Sequence, residues 1–127
     1  MNAEPLLVAW LTTRYPGARV STERPADLSA VLPYMQVIGI GGTGDLYRFS
    51  LPRVDVDVFA STRSSARDLA ERVHLDLLQN LPGDSVDGTS VLSVASNMSP
   101  TWTPDDNTNL RRFTLSVGLR LHDRSAA

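Results

Sequence analysis

The chain has 127 residues, 12 basic and 14 acidic, for a net charge of −2, and it contains no cysteine. The charges are spread evenly, with 5 basic and 6 acidic residues over 1–60 and 7 and 8 over 61–127. That excludes a thiol nucleophile, a cysteine zinc site and a disulfide scaffold, and it lacks the basic stripe of a phosphate-neutralising nucleic-acid binder. One domain spanning 1–127 is expected, because a chain of this length buries roughly two-thirds of its unfolded surface in a single core. All 12 basic residues are arginine. This reads first as a GC-rich coding sequence, with the planar fork that makes arginine the better interface cation as the alternative. The start Met1-Asn2-Ala3-Glu4-Pro5 lacks the charged region of a secretory signal, and no apolar run approaches the ~20 residues that span a bilayer. A soluble protein with no membrane partner is the expectation.

In chain order, Pro5 suits the first turn of a helix, Leu7, Trp10, Leu11 and Arg14 follow at helical spacing, and Pro16-Gly17 ends it. Trp10 on that stripe reads as core. Ala18 to Thr22 is a short strand, and Glu23 to Pro33 is a surface loop with a helical turn around Asp27 to Val31. Tyr34 to Ile40 alternates as a strand, with Tyr34, Gln36, Ile38 and Ile40 on one side and Met35 and Val37 on the other. The run from Gly39 to Gly44 matches G-x-G-x-x-G. A dinucleotide site needs that motif to open a helix, whose N–H groups hold the pyrophosphate. Here it leads into another strand, so it reads as a flexible hairpin loop.

The segment from Pro52 to Ala60 organises the rest. Val54, Val56 and Val58 share one strand face, and Arg53, Asp55 and Asp57 share the other. In Ser64 to Asn80, Ala66, Leu69, Ala70, Val73 and Leu77 recur every three or four residues, which predicts an amphipathic helix laid on the valine face. Leu81-Pro82-Gly83 stops it, and Asp87-Gly88 marks a turn. Val91 to Trp102 is extended, with Pro100 at an edge, a bend or the strand's end. Pro104 to Asn109 is a polar turn. Arg111 to Leu121 alternates without a break, Phe113, Leu115, Val117, Leu119 and Leu121 against Arg112, Thr114, Ser116, Gly118 and Arg120. His122 to Ala127 reads as a frayed tail. The fold class is α+β: a mainly antiparallel sheet with a long helix at about 64–80 and a short N-terminal helix packed on it.

No residue pattern makes a positive case for an enzyme, and no catalytic, metal or cofactor-binding residue is nominated. Asp55 and Asp57 invite a metal or acid–base reading. With no third ligand at a telling spacing, they read instead as acids of a sheet face that pair with arginines such as Arg112 or Arg120. His74 and His122 lack the partners of a triad, and no Gly-x-Ser-x-Gly elbow is present.

The order of elements, with Pro52-Arg53-Val54-Asp55-Val56-Asp57-Val58-Phe59-Ala60, then Ala66-x-x-Leu69-Ala70-x-x-Val73 and Arg111-Arg112-Phe113-Thr114-Leu115-Ser116-Val117, resembles the tail terminator proteins of long-tailed double-stranded-DNA bacteriophages and prophages. The resemblance covers nearly the whole chain. It implies a structural virion protein and no enzyme: a hexameric ring that caps the head-proximal end of the tail tube, stops its polymerisation and offers the surface for head–tail joining. Its partners would be further copies of itself, the tail tube protein and a head-completion or neck protein, with genomic DNA passing through unbound and no cofactor required. Localisation would be the virion tail, after assembly in the host cytoplasm. Other head–tail connector, head-completion or minor tail proteins are the nearest alternatives, and a small ligand-binding or enzymatic α+β domain is the alternative from another class.

Loops hung on a rigid sheet are where a ring subunit meets its neighbours. The nominated assembly residues are therefore Asp45 and Tyr47 in Gly41–Tyr47, and Trp102, Asp105, Asp106, Arg111 and Arg112 in Trp102–Arg112. Trp102 and the arginine pair are the anchors, since aromatic residues and arginine concentrate at interface hot spots. Their competing reading is a core tryptophan, and arginines that balance Asp55 and Asp57. Asp45, Asp105 and Asp106 are expected to help a lumen repel phosphate.

Overall fold

The computed structural model describes residues 3–44, 49–107 and 109–123. In chain order it comprises α1 (Ala3–Arg14), β1 (Arg19–Ser21), a 3-10 turn (Leu28–Ala30), β2 (Tyr34–Gly44), β3 (Phe49–Ala60), α2 (Arg63–Gln79), β4 (Ser85–Val86), β5 (Thr89–Trp102) and β6 (Arg111–Asp123). Local chemistry sets the helix ends. Thr62, in extended conformation, accepts the Ser65 N–H on its side-chain oxygen at 3.2 Å, which satisfies one of the donors that a helix start leaves free. At the other end of α2 the Asn80 N–H reaches Asp76 O at 2.8 Å, and Gly83 turns the chain away with φ +93°.

The strands form one sheet in the order β1-β2-β3-β6-β5-β4. Its middle is antiparallel: Val56 lies opposite Val37 on β2 and Leu115 on β6, and Val58 lies opposite Met35 and Phe113. Period-two alternation therefore lines all of these residues up on one face. Both helices cover that face. Leu7 and Leu11 of α1, and Ala66, Ala70, Val73 and Leu77 of α2, are fully buried against it in one continuous core. Each leucine or valine among them contributes about 1.5–3 kcal/mol on leaving water. Trp10 is core as expected, and its indole N–H donates to Asp84 Oδ2 at 2.7 Å.

Several expectations are corrected. The sheet is mixed, because β1 runs parallel to β2 from Arg19↔Tyr34 to Ser21↔Gln36. The run from Gly39 to Gly44 is strand and not loop. It stays in the β2 ladder through a bulge, where Ile40 and Gly41 together stand opposite Arg53, between the pairs Gly39↔Val54 and Gly42↔Pro52. Gly42 has φ +135°, and a Cβ there would collide with the Leu51 carbonyl oxygen, so the backbone approach itself demands glycine. His122 belongs to β6, opposite Phe49 and Ser90, rather than to a frayed tail. Leu69 is only half-buried, while the rest of its stripe is fully covered. Asp87 and Gly88, with φ 50° and 81°, make the tight turn that joins β4 to β5.

Candidate functional site

The other face of the sheet carries no helix, and its strand residues are those that alternate with the core. One end is strapped down by two loops. Tyr34 and Phe59 stack there, ring centroids 5.8 Å apart, beneath Leu28 and Leu110 from the loops that precede β2 and β6. Arg24 and Arg112 lie over the Phe59 ring at 4.8 and 5.8 Å. Asp105 holds both guanidinium groups, Arg24 at 2.9 Å and Arg112 at 3.6 Å, and Arg112 reaches Asp57 at 3.7 Å. Thr114 donates its hydroxyl to Asp57 at 2.7 Å. Burial alone would raise the Asp105 carboxyl, but the hydrogen bonds from Arg24 and the Asn107 N–H, with the charges of Arg24 and Arg112, hold it below its usual value. The cluster is a charged clasp that fastens the loops to the sheet.

The nominated residues divide accordingly. Arg112 donates to Thr103 O at 3.1 Å and Pro104 O at 3.2 Å as well as facing Asp57, so the competing reading of it as a balancing charge describes its contacts. The Asp105 side chain is 6% exposed, turned inward to its two arginines rather than out to line a lumen. Trp102 is half-buried on the helix-covered side, edge-on to Phe113 at 5.4 Å, with Arg63 over its ring at 4.4 Å. Asp106 is exposed and Arg111 half-buried. Asp45 and Tyr47 lie outside the described residues.

Beyond the clasp the same face is bare. Arg53 is exposed and Asp55 half-buried, and neither side chain makes a hydrogen bond or ion pair among the described residues. Around them stand exposed aliphatic side chains, Ile40 at 43%, Leu51 at 49% and Met98 at 37%. Gly118 floors a hollow of about 310 Å³ between Leu51, Arg53, Ala95, Asn97 and Arg120. Ser116, beside it, buries a hydroxyl with no hydrogen-bond partner among the described residues. Sequence reading placed Arg53 with Asp55, and Ser116 with Gly118, on the polar faces of their strands but did not single this surface out. The signal was present as Ile38, Ile40 and Leu51 on the polar side of the alternation.

Two other places were tested for chemistry. A hollow of about 790 Å³ opens between the end of α1 and α2. Its central acid is already engaged: Asp76 accepts from Arg14 at 2.8 and 2.7 Å, from the Tyr15 hydroxyl at 2.9 Å and from Asn80 at 2.6 Å. Burial and that hydrogen bond push Tyr15 above its usual range, so it stays a donor. His74, which the sequence offered without the partners of a triad, lies 2.8 Å through Nε2 from Ser96 Oγ. Burial lowers the imidazole, and no carboxylate contributes to its shift, so the orienting acid of a triad is missing. Among the described residues no group of three His, Asp or Glu is placed to hold a metal, and no helix is long and apolar enough to cross a membrane. No protein-family model matches the chain, and no curated protein does so either.

Proposed function

We propose that this chain acts by assembly, as a tail terminator subunit of a long-tailed bacteriophage or prophage. Six copies form a ring on the head-proximal end of the tail tube, halt its growth and present the surface that the head joins. The observation that carries the reading is the one-sided sheet. Helices cover one face, while the other keeps exposed aliphatic side chains around Arg53 and Asp55, whose charges have no partner among the described residues, which is the composition of a contact surface and not of a catalytic cleft. The stretches Pro52–Ala60 and Arg111–Val117, which carry the resemblance, are the two central strands of that sheet. The antiparallel run β2-β3-β6-β5 and the 17-residue α2 supply a stiff frame from which Trp102, Asp106 and Arg111 are offered to neighbouring subunits.

Genomic DNA must pass such a ring without being held. Six copies sum to a charge of 6 × −2 = −12, which repels phosphate at long range. Duplex DNA is therefore expected to show no binding at physiological salt in the ~10⁻⁴ to 10⁻⁶ M range of non-specific binders. The deciding experiment is electron microscopy of particles made without this protein. Tails of uncontrolled length and unjoined heads are expected, whereas tails of normal length attached to heads overturn the reading.

A further inference from the structure

We infer that the bare part of the open face pairs with the same face of a second copy, sheet on sheet, about a two-fold axis that crosses β3 at Val54. The register defines two neighbouring rows. At the level of Asp55 the strands present Ile38, Asp55, Ser116 and Met98. One step on, at the level of Arg53, they present the bulge residue Ile40, then Arg53, Gly118 and Ala95. A two-fold axis in the plane between two facing sheets, perpendicular to the strands and midway between the rows, lays each row over the other. Ile38 then meets Ile40, Asp55 meets Arg53, Ser116 meets Gly118 and Met98 meets Ala95.

The charged and the apolar encounters are complementary. Arg53 and Asp55, neither with a polar partner among the described residues, are of opposite charge, and each receives the other. The large Met98 falls on the small pair Ala95 and Gly118, beside the hollow of about 310 Å³. Sheets that face each other pack about 10 Å apart with interdigitating side chains, and this face offers both knobs and a hole. A two-fold contact needs one surface to be its own complement, with residue i on residue j and j on i, and these two rows meet that condition. The clasped loops lie beyond Asp57, so they flank the rows without covering them. The contact and the ring make different claims on the same bare face, and their tests differ: a two-fold pair closes at two copies, whereas a ring needs a head-to-tail contact.

The test is a charge exchange read by analytical ultracentrifugation. Wild type is expected to sediment as a dimer in a concentration-dependent manner. Arg53→Asp sets two acids against two acids, and Asp55→Arg sets two arginines against two. Each variant alone should dimerise roughly 100-fold more weakly, at tenfold per 1.4 kcal/mol. Mixed in equal amounts, the two variants should pair with each other, and the double variant R53D/D55R should dimerise like wild type. Circular dichroism checks that each variant is folded, and Ala95→Trp, which fills the hollow without altering charge, should also separate the pair. Wild type that is monomeric at all concentrations, single variants that remain dimeric, or a mixture that fails to pair would each overturn the contact. A six-copy species that is unaffected by Arg53→Asp, with no dimer in wild type, would overturn the contact and leave the ring standing.

Discussion

The two faces of this sheet are built from alternate residues of the same strands, yet they obey different rules. On the helix-covered face Val54, Val56 and Val58 are fully buried in the apolar cluster, and the core is continuous from α1 through α2. On the other face, charge is handled in two ways within three residues of β3. Asp57 is buried beneath loops and satisfied by Arg112 and Thr114, whereas Asp55, one step along the same face, has no partner among the described residues. What distinguishes the two acids is the cover above them. Burial of a carboxylate is tolerated only where a cation and donors come with it, so the clasp and the bare patch are one strand face with and without its loops.

The sharpest way to break the contrast is Val56→Asp, which places an unpaired charge in the core. It should cost an amount of the order of the whole stability of a domain this size, about 5–15 kcal/mol, while Asp55→Val, its neighbour on the other face, leaves the fold intact. Chemical denaturation of the two proteins compares them directly. Gly42→Ala comes next, because its Cβ meets the Leu51 carbonyl at a positive φ, and a loss of about 3 kcal/mol is expected. Gly41→Ala, with φ +98° but open space around the added atom, should lose about 1 kcal/mol in the same assay.

Within the polar face, Asp57→Ala should cost about 1–3 kcal/mol, since it orphans a buried hydroxyl and loosens Arg112. Asp55→Ala should stay within about 0.5 kcal/mol. Equal effects would erase the distinction between clasp and bare patch. The smallest effect concerns pH. Burial depresses His74 below the ordinary imidazole value of 6.5, so the unfolded chain takes up the proton first as pH falls. The stability present at pH 7 is therefore lost below about 6.5 and down through the lower folded value. Asp76 and Asp105 are also depressed, so their contributions fade only below the ordinary carboxylate value of 3.8. The melting temperature should accordingly fall from pH 7 to pH 5, and His74→Gln should flatten that slope.

Much of this architecture is written in local pattern. Period-two alternation in Pro52–Ala60 and Arg111–Leu121, and the stripe Ala66, Ala70, Val73 and Leu77, identify strands, helix and the face on which they meet. Solvent exclusion acts on one side chain at a time, and the sequence records which side chains are apolar. Pro16-Gly17 and Asp87-Gly88 mark an end and a turn for equally local reasons, the rigidity of a proline and the freedom of a glycine.

Apart from the Asp57–Arg112 pair, which the strand faces suggest, pairing over distance was not legible. Arg24 and Asp105 are 81 residues apart, and His74 meets Ser96 only because α2 crosses β5. The glycine run shows the same limit, since loop and bulged strand share one composition, and only the presence of β3 alongside provides the hydrogen bonds that make it strand. The sequence by itself therefore determined the elements, the apolar face and the absence of thiol chemistry, all of which follow from single residues and their immediate neighbours. Tertiary structure alone decided which charges are clasped, which are bare and where β1 joins, because a charge or a strand edge acquires its energy from whatever the fold brings within a few ångströms.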